Sequence, residues 1–512
     1  MLSFNPSKQN ISYIWKMNHP EDCLTLKQSI DMKTILLFLL LCISLSTSAQ
    51  TADERAGTYM NQADWFSLQR EFAINKDSLH PFLQEFGQAL LDNFFNRPEA
   101  ACESIGKLLN EQQNNMGFEN TASMIYLLSE NLSKLGANDQ AAETLKSFCD
   151  QLEGQVDSAF LAGYRTRECQ YRALAKYDLY QWNKADNDLI LPFRIDSIGT
   201  KGSTAITLQG ELNGKERNYT LDTGAGVNVV TPEIAEACGM KMLDVEITAY
   251  GIRAGSGHLA LAEEIRIGDL VIRNVPFYVL DMKTGEEKAD RYMKHLEAII
   301  GLPLLNQLQE IRLDFLTNRL TIPKVLTPAP TFAPNICHTG KNILDLEVVY
   351  NQELLRMNFD SGSGVSQLNY DYFKRHKDRI EQIAEKDSMR MAGFGGTTRV
   401  CVYKMPGGGC FQIGEYTGCI DSLNVVATPG EDALHFVGDG VAGMDFFRSF
   451  NTITINLKDM FVKTTPKKQE RNAMIYDSKK LRLKLPEDEL KITDILLGIA
   501  DIYLNYWKYE HY

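Results

Sequence analysis

The sequence predicts a multidomain chain in which an all-α region precedes an all-β region built as two halves. Three observations carry this reading. Apolar residues recur every three or four positions up to about residue 186, and they alternate with polar ones after about residue 187. An ordered set of motifs then appears twice. A chain of 512 residues is too long for one core. Its composition, 44% hydrophobic and 23% charged, is that of a globular protein. A formal net charge of −13 argues against nucleic acid or an anionic membrane as the main partner.

From Met32 the chain reads MKTILLFLLLCISLSTSAQ: one lysine, an apolar run, then small residues. That is the pattern of a secretory signal peptide over 32–49, with cleavage after Ala49. Residues 1–31 are polar and would bury the signal, so they read as untranslated or absent from the mature protein. The apolar run is too short for an anchor, and Leu41 before Cys42 speaks against lipidation. An exported protein, periplasmic or extracellular, is therefore expected, with no stable membrane insertion after cleavage. Eight cysteines remain, and their spacing leaves any pairing open. Without a CxxC pair or clustered histidines, neither a metal nor a cofactor is expected.

Residues 50–186 read as a helical accessory domain. PFLQEFGQALLDNFF and PEAACESIGKLLNEQQ have helical apolar spacing, the second with proline in its first turn. SMIYLLSENLSKLG ends on Gly136, and DQAAETLKSFCDQLE follows. Such helical hairpins fit either a tetratricopeptide-like array or a plain helical domain. The region could hold a protein partner. From 187 the pattern turns to strands, with a hairpin signal at Asn213-Gly214. PKVLTPAPTFAPN reads as a semi-rigid linker between 187–327 and 328–465. The tail, 466–512, reads as a C-terminal amphipathic helical extension.

The halves repeat one plan. RNYTLDTGAGVNVV answers to LLRMNFDSGSGVSQL, and each is followed by a short helical stretch. Gly-rich hairpins come next, AYGIRAGSG and AGFGGTTR, and then IRIGDLVI and FQIGEYTG. Each half closes on apolar residues and a glycine, AIIGLPLL and GVAGMDFF. The offset from Asp222 to Gly301 is 79 positions, and from Asp360 to Gly443 it is 83. One Asp-Ser/Thr-Gly after an apolar residue should arise by chance in roughly one chain of this size in ten. Two, each leading the same series, leave no room for an ordinary turn aspartate.

These motifs resemble those of two-lobed aspartic peptidases whose halves are similar to retroviral (retropepsin-like) proteases. The likeness spans about residues 200–464. It implies an all-β bilobal acid-protease fold with pseudo-twofold symmetry, and an endopeptidase that hydrolyses a polypeptide substrate. Asp222 and Asp360 would then share one proton and the lytic water. Thr223 and Ser361 would lock the two loops together, and Gly224 and Gly362 would turn tightly and offer N–H groups. Gly301 and Gly443 would pack under the loops. The hairpins holding Tyr250, Gly251, Phe394 and Gly395 would be flaps, with the two aromatics as candidate cleft residues. Ala225 against Ser363 makes the loops unequal. A Ser363 hydroxyl bonded to Asp360 would leave the proton on Asp222. RVCVYKMPGGGCFQIG reads as an insertion in the second flap. The likeness leaves the helical region dispensable for the chemistry. The alternatives are a catalytically silent peptide-binding module, or a helical scaffold with an accessory peptidase domain.

Overall fold

The structure is a computed structural model, described over residues 50–183, 186–197, 204–293, 296–331, 333–429 and 438–467. The expected signal peptide and the C-terminal helix from 468 on lie outside the described residues. Among the described residues seven α-helices come first: α1 Ala52–Asn61, α2 Trp65–Asn75, α3 Pro81–Phe94, α4 Pro98–Glu111, α5 Gln113–Lys134, α6 Asn138–Leu152 and α7 Ser158–Leu174. Thr51 and Glu54 close a capping box on α1, and prolines open α3 and α4 where no N–H is needed. Gly117, at φ 72°, kinks α5. Trp65, Phe66, Leu68, Ile105 and Leu108 are buried in an apolar cluster that continues into the β region. Arg70 pairs with Glu347 at 2.7 Å, and Asn96 donates to the Leu457 carbonyl at 2.7 Å. Removing the helices would therefore strip apolar cover from the sheets.

The first half runs β1 Leu189–Ser197, β2 Thr204–Leu212, β3 Lys215–Leu221, β4 Val229–Val230, α8 Pro232–Ala237, β5 Lys241–Tyr250, β6 Ala254–Ile267, β7 Leu270–Val279, α9 Glu287–Met293, β8 Ala298–Ile300, α10 Leu302–Leu308, β9 Glu310–Asp314 and β10 Arg319–Ile322. The second runs β11 Ile336–His338, β12 Leu344–Tyr350, β13 Glu353–Phe359, β14 Gln367–Leu368, α11 Tyr370–Ile383, β15 Glu385–Gly393, β16 Gly396–Met405, β17 Gly409–Ile413, β18 Tyr416–Ile420, β19 Leu423–Val426, β20 Gly440–Ala442, α12 Met444–Phe447, β21 Phe450–Asn456 and β22 Phe461–Pro466. Asn213 and Gly214 take φ 49° and 73°, as a two-residue hairpin turn requires.

Pairing repeats between the halves. β3 runs parallel to β8 with Leu221 opposite Ile300, and β13 runs parallel to β20 with Phe359 opposite Ala442. β4 lies between β8 and β7 as β14 lies between β20 and β19. The halves join through antiparallel β9 and β21, Arg312 facing Thr454.

One expectation is corrected. The stretch 399–414 is no insertion: β16 and β17 together take the place of β6, interrupted at Pro406-Gly407-Gly408. Gly414 (φ 55°) then turns into β18 as Gly268 (φ 56°) turns into β7. A glycine run has no side-chain pattern to align, so the broken strand looked extraneous. A disulfide joins Cys410 and Cys419, directly opposite on β17 and β18. The proline-rich linker is anchored at one point. Thr327 donates through N and Oγ1 to buried Glu310, at 2.8 and 2.7 Å. Among the described residues no helix is long and apolar enough to cross a membrane.

Candidate active site

β3 and β13 end one residue before Asp222 and Asp360. Their parallel neighbours then fix each aspartate by its own N–H, Asp222 to the Ile300 carbonyl at 3.0 Å and Asp360 to that of Ala442 at 3.1 Å. The hydroxyls of Thr223 and Ser361 cross between halves. Thr223 Oγ1 donates to the Phe359 carbonyl at 2.7 Å and accepts the Ser361 N–H at 3.0 Å. Ser361 Oγ donates to the Leu221 carbonyl at 2.8 Å and accepts the Thr223 N–H at 3.0 Å. Both residues are fully buried. Four reciprocal bonds thus hold the two aspartate loops in one register.

The glycines act differently from the expectation. Gly224 donates to Asp222 Oδ1 at 2.9 Å and Gly362 to Asp360 Oδ1 at 2.8 Å, as anticipated. Neither has a left-handed backbone, so a tight turn is not what demands glycine. Clearance is: a Cβ on Gly224 would lie 2.4 Å from the Asp360 carboxyl carbon, and one on Gly362 would lie 2.4 Å from that of Asp222. Each glycine makes room for the opposite half's acid.

The two carboxyls lie side by side, each against the opposite half's glycine, close enough for the charge of Asp360 to act on Asp222. Burial, and then the Asp360 charge beside it, push Asp222 well above the ordinary carboxylate range. Burial also raises Asp360, but N–H groups of Ser363 and Gly362 and the neighbouring Asp222 carboxyl oppose that rise. Asp222 is thus the more strongly raised of the two. The Ser363 hydroxyl does not take the expected part: it donates to the Val365 carbonyl at 2.9 Å, while its main-chain N–H reaches Asp360 Oδ1 at 3.0 Å.

Beneath the loops, Gly301 and Gly443 sit where a Cβ would come within 2.3 Å of the Val227 carbonyl and 2.6 Å of the Val365 carbonyl. Their N–H groups donate to Asn228 Oδ1 (3.0 Å) and Ser366 Oγ (2.9 Å), two supports that the motif reading missed. Each lies six residues after its aspartate, a signal that the repeat alignment contains. Asp445 accepts the Ser366 N–H at 2.8 Å, whereas Asn228 donates to the Pro276 carbonyl at 3.1 Å.

An apolar cluster runs from Ala225 and Val227, beside Asp222, through Ile247 and Ala249 of β5 to Phe394 of the other hairpin. The hairpin tips meet: the Ile252 N–H donates to the Phe394 carbonyl at 2.7 Å. Close approach explains the tip glycines, since a Cβ on Gly251 would lie 2.5 Å from the Phe394 carbonyl and one on Gly395 2.5 Å from that of Arg253. Tyr250 is half-exposed, on the face of β5 opposite to buried Leu243, Val245 and Ile247. It does not join the cluster that holds Phe394.

Residues 208–303 match the family model described as aspartyl protease. The match supports an aspartic peptidase domain. It spans Asp222, the first hairpin and Gly301, and with them a peptidase-type function. No curated protein matches the chain.

Proposed function

We propose that the chain is an exported aspartic endopeptidase of two retropepsin-like lobes, 187–327 and 328–465, behind the 50–186 accessory region. The observation that supports it best is the placement of the carboxyl pair itself: Asp222 and Asp360 are half-buried side by side, each against the opposite half's loop glycine, on loops cross-tied by Thr223 and Ser361. Like charges about 3 Å apart cannot both ionise, so the pair holds one proton; aspartic proteases are themselves the reference case for this rule. Ionised Asp360 takes a proton from water as it attacks the peptide carbonyl carbon. Asp222 gives its proton to the carbonyl oxygen; on collapse Asp360 passes the water's proton to the amide nitrogen, the C–N bond breaks, and Asp222 takes back a hydroxyl proton as the new carboxyl forms. The paired hairpins exclude bulk water from this step. The signal-like segment and the Cys410–Cys419 disulfide favour an oxidising compartment.

The test is incubation of purified 50–512 with an unstructured protein, with and without a statine-type inhibitor, a peptide carrying a hydroxyl in place of the scissile carbonyl. Fragments whose formation the inhibitor abolishes are expected. A folded protein that binds the inhibitor and cuts nothing would instead be a silent peptide-binding module.

A further inference from the structure

We propose that Glu286 is a latch residue that holds the second flap shut from the opposite half and so controls how fast a polypeptide reaches the carboxyl pair. This rests on the peptidase reading above. Glu286 lies just ahead of α9 in the first half, yet both its carboxylate oxygens are engaged by the second-half hairpin. Arg390 of β15 donates to Oε2 at 2.6 Å, and Thr397 of β16 donates to Oε1 at 2.7 Å. One carboxylate therefore grips both strands of the flap close to its tip.

The surroundings give the contact leverage. None of the nine residues of β15 is buried; Met389 and Met391, only partly covered, pack against Val400, Val402 and Val426 of the same half. Among the described residues the tie to the first half is thus confined to the tip, at Phe394 and through Glu286. The loop presenting Glu286 is itself pinned. Asp290 Oδ1 accepts the Thr284 N–H at 2.5 Å and the Thr284 hydroxyl at 2.7 Å, and the Glu286 carbonyl accepts the Asp290 N–H at 2.8 Å. A fixed anchor on one half and a loosely held hairpin on the other make a door that opens when one ion pair and its neighbouring hydrogen bonds break. Arg390 and Glu286 remain partly exposed, so salt weakens the pair. Access then scales with the fraction of flaps unlatched.

The experiment is stopped-flow association of a fluorescent statine-type peptide with full-length mature protein. Glu286→Ala and Arg390→Ala should each raise the association rate about 3- to 10-fold, the worth of one exposed ion pair with a hydrogen bond. Added salt should speed the wild type and leave Glu286→Ala unchanged. The double exchange Glu286→Arg with Arg390→Glu should return the rate towards wild type. Amide exchange at 393–397, read in parallel, should quicken in Glu286→Ala. That readout needs no catalysis, so it decides the latch even if the peptide fails to bind, which would count against the peptidase reading alone. Unchanged amide exchange in both single variants would overturn the latch, as would unchanged association rates.

Discussion

The two flaps share a hairpin plan but differ in what lies behind them. β5 buries Leu243, Val245 and Ile247 in a cluster that also receives Ala173, Leu174 and Tyr177 from the end of α7 and just beyond it. Lys241 of the same strand rests 4.8 Å from the Tyr177 ring centroid. β15, its counterpart, buries no residue, and among the described residues its hairpin meets the first half only near the tip, at Phe394 and through Glu286. One hairpin is thus a wall backed by the helical region, and the other a door. A hairpin's freedom is set less by its own sequence than by the apolar surface behind it.

The comparison can be broken most severely at the centre, where the halves should be equivalent. Gly224→Ala and Gly362→Ala are each expected to cut kcat/KM by about 100-fold or more, because each Cβ would displace the opposite carboxyl. Tolerance in one half only would show that the pair is not symmetric. Next come the cross-ties. Thr223→Val and Ser361→Ala each leave a buried N–H and a buried carbonyl without partners, and denaturant unfolding should register a loss of about 3 kcal/mol for each. Smaller still is the brace on the wall. Leu174→Ala should cost about 1–2 kcal/mol and speed amide exchange in β5 about 10-fold without touching β15.

The smallest effect concerns a group that the second half buries where the first has Thr207. Asp345 faces Asn358 as Thr207 faces Thr220, and burial pushes its carboxyl up to about 7. Below an unfolded pKa of about 3.9 it is neutral in both states. As pH rises towards 7 the unfolded chain ionises first, so folded stability falls with pH. Asp345→Asn should therefore match wild type near pH 4 and exceed it by about 1 kcal/mol at pH 8, after a discount for relaxation around the buried charge. Unfolding measured across that range checks the sign.

Much of this was legible because it obeys local rules. Asn213-Gly214 specifies its hairpin, the prolines at 81 and 98 mark helix starts, and the repeat aligns Asp222 with Asp360 and Gly301 with Gly443. What escaped depends on contacts between distant segments. Glu286 and Arg390 are 104 positions apart, and no periodicity links them. The clearance role of Gly224 and Gly362 appears only when the halves face each other, since their local motif reads as a turn. The Ser363 hydroxyl goes to the Val365 carbonyl, a choice that composition cannot show. Tyr250 fell on the outer face because the parity of β5 is set by the residues it buries, not by the aromatic itself.

In the proposed mechanism Asp222 and Asp360 act as one proton-sharing acid–base pair. Turnover of an unfolded protein substrate by wild type, Asp222→Asn and Asp360→Asn tests it most directly, with unfolding curves as the check on folding. Asp222→Asn removes the acid and Asp360→Asn the base, so each should abolish turnover while the chain stays folded. The wild-type rate should fall as pH rises through the raised pKa of Asp222, and fall again as acid protonates Asp360. Full turnover by either folded variant would contradict the account.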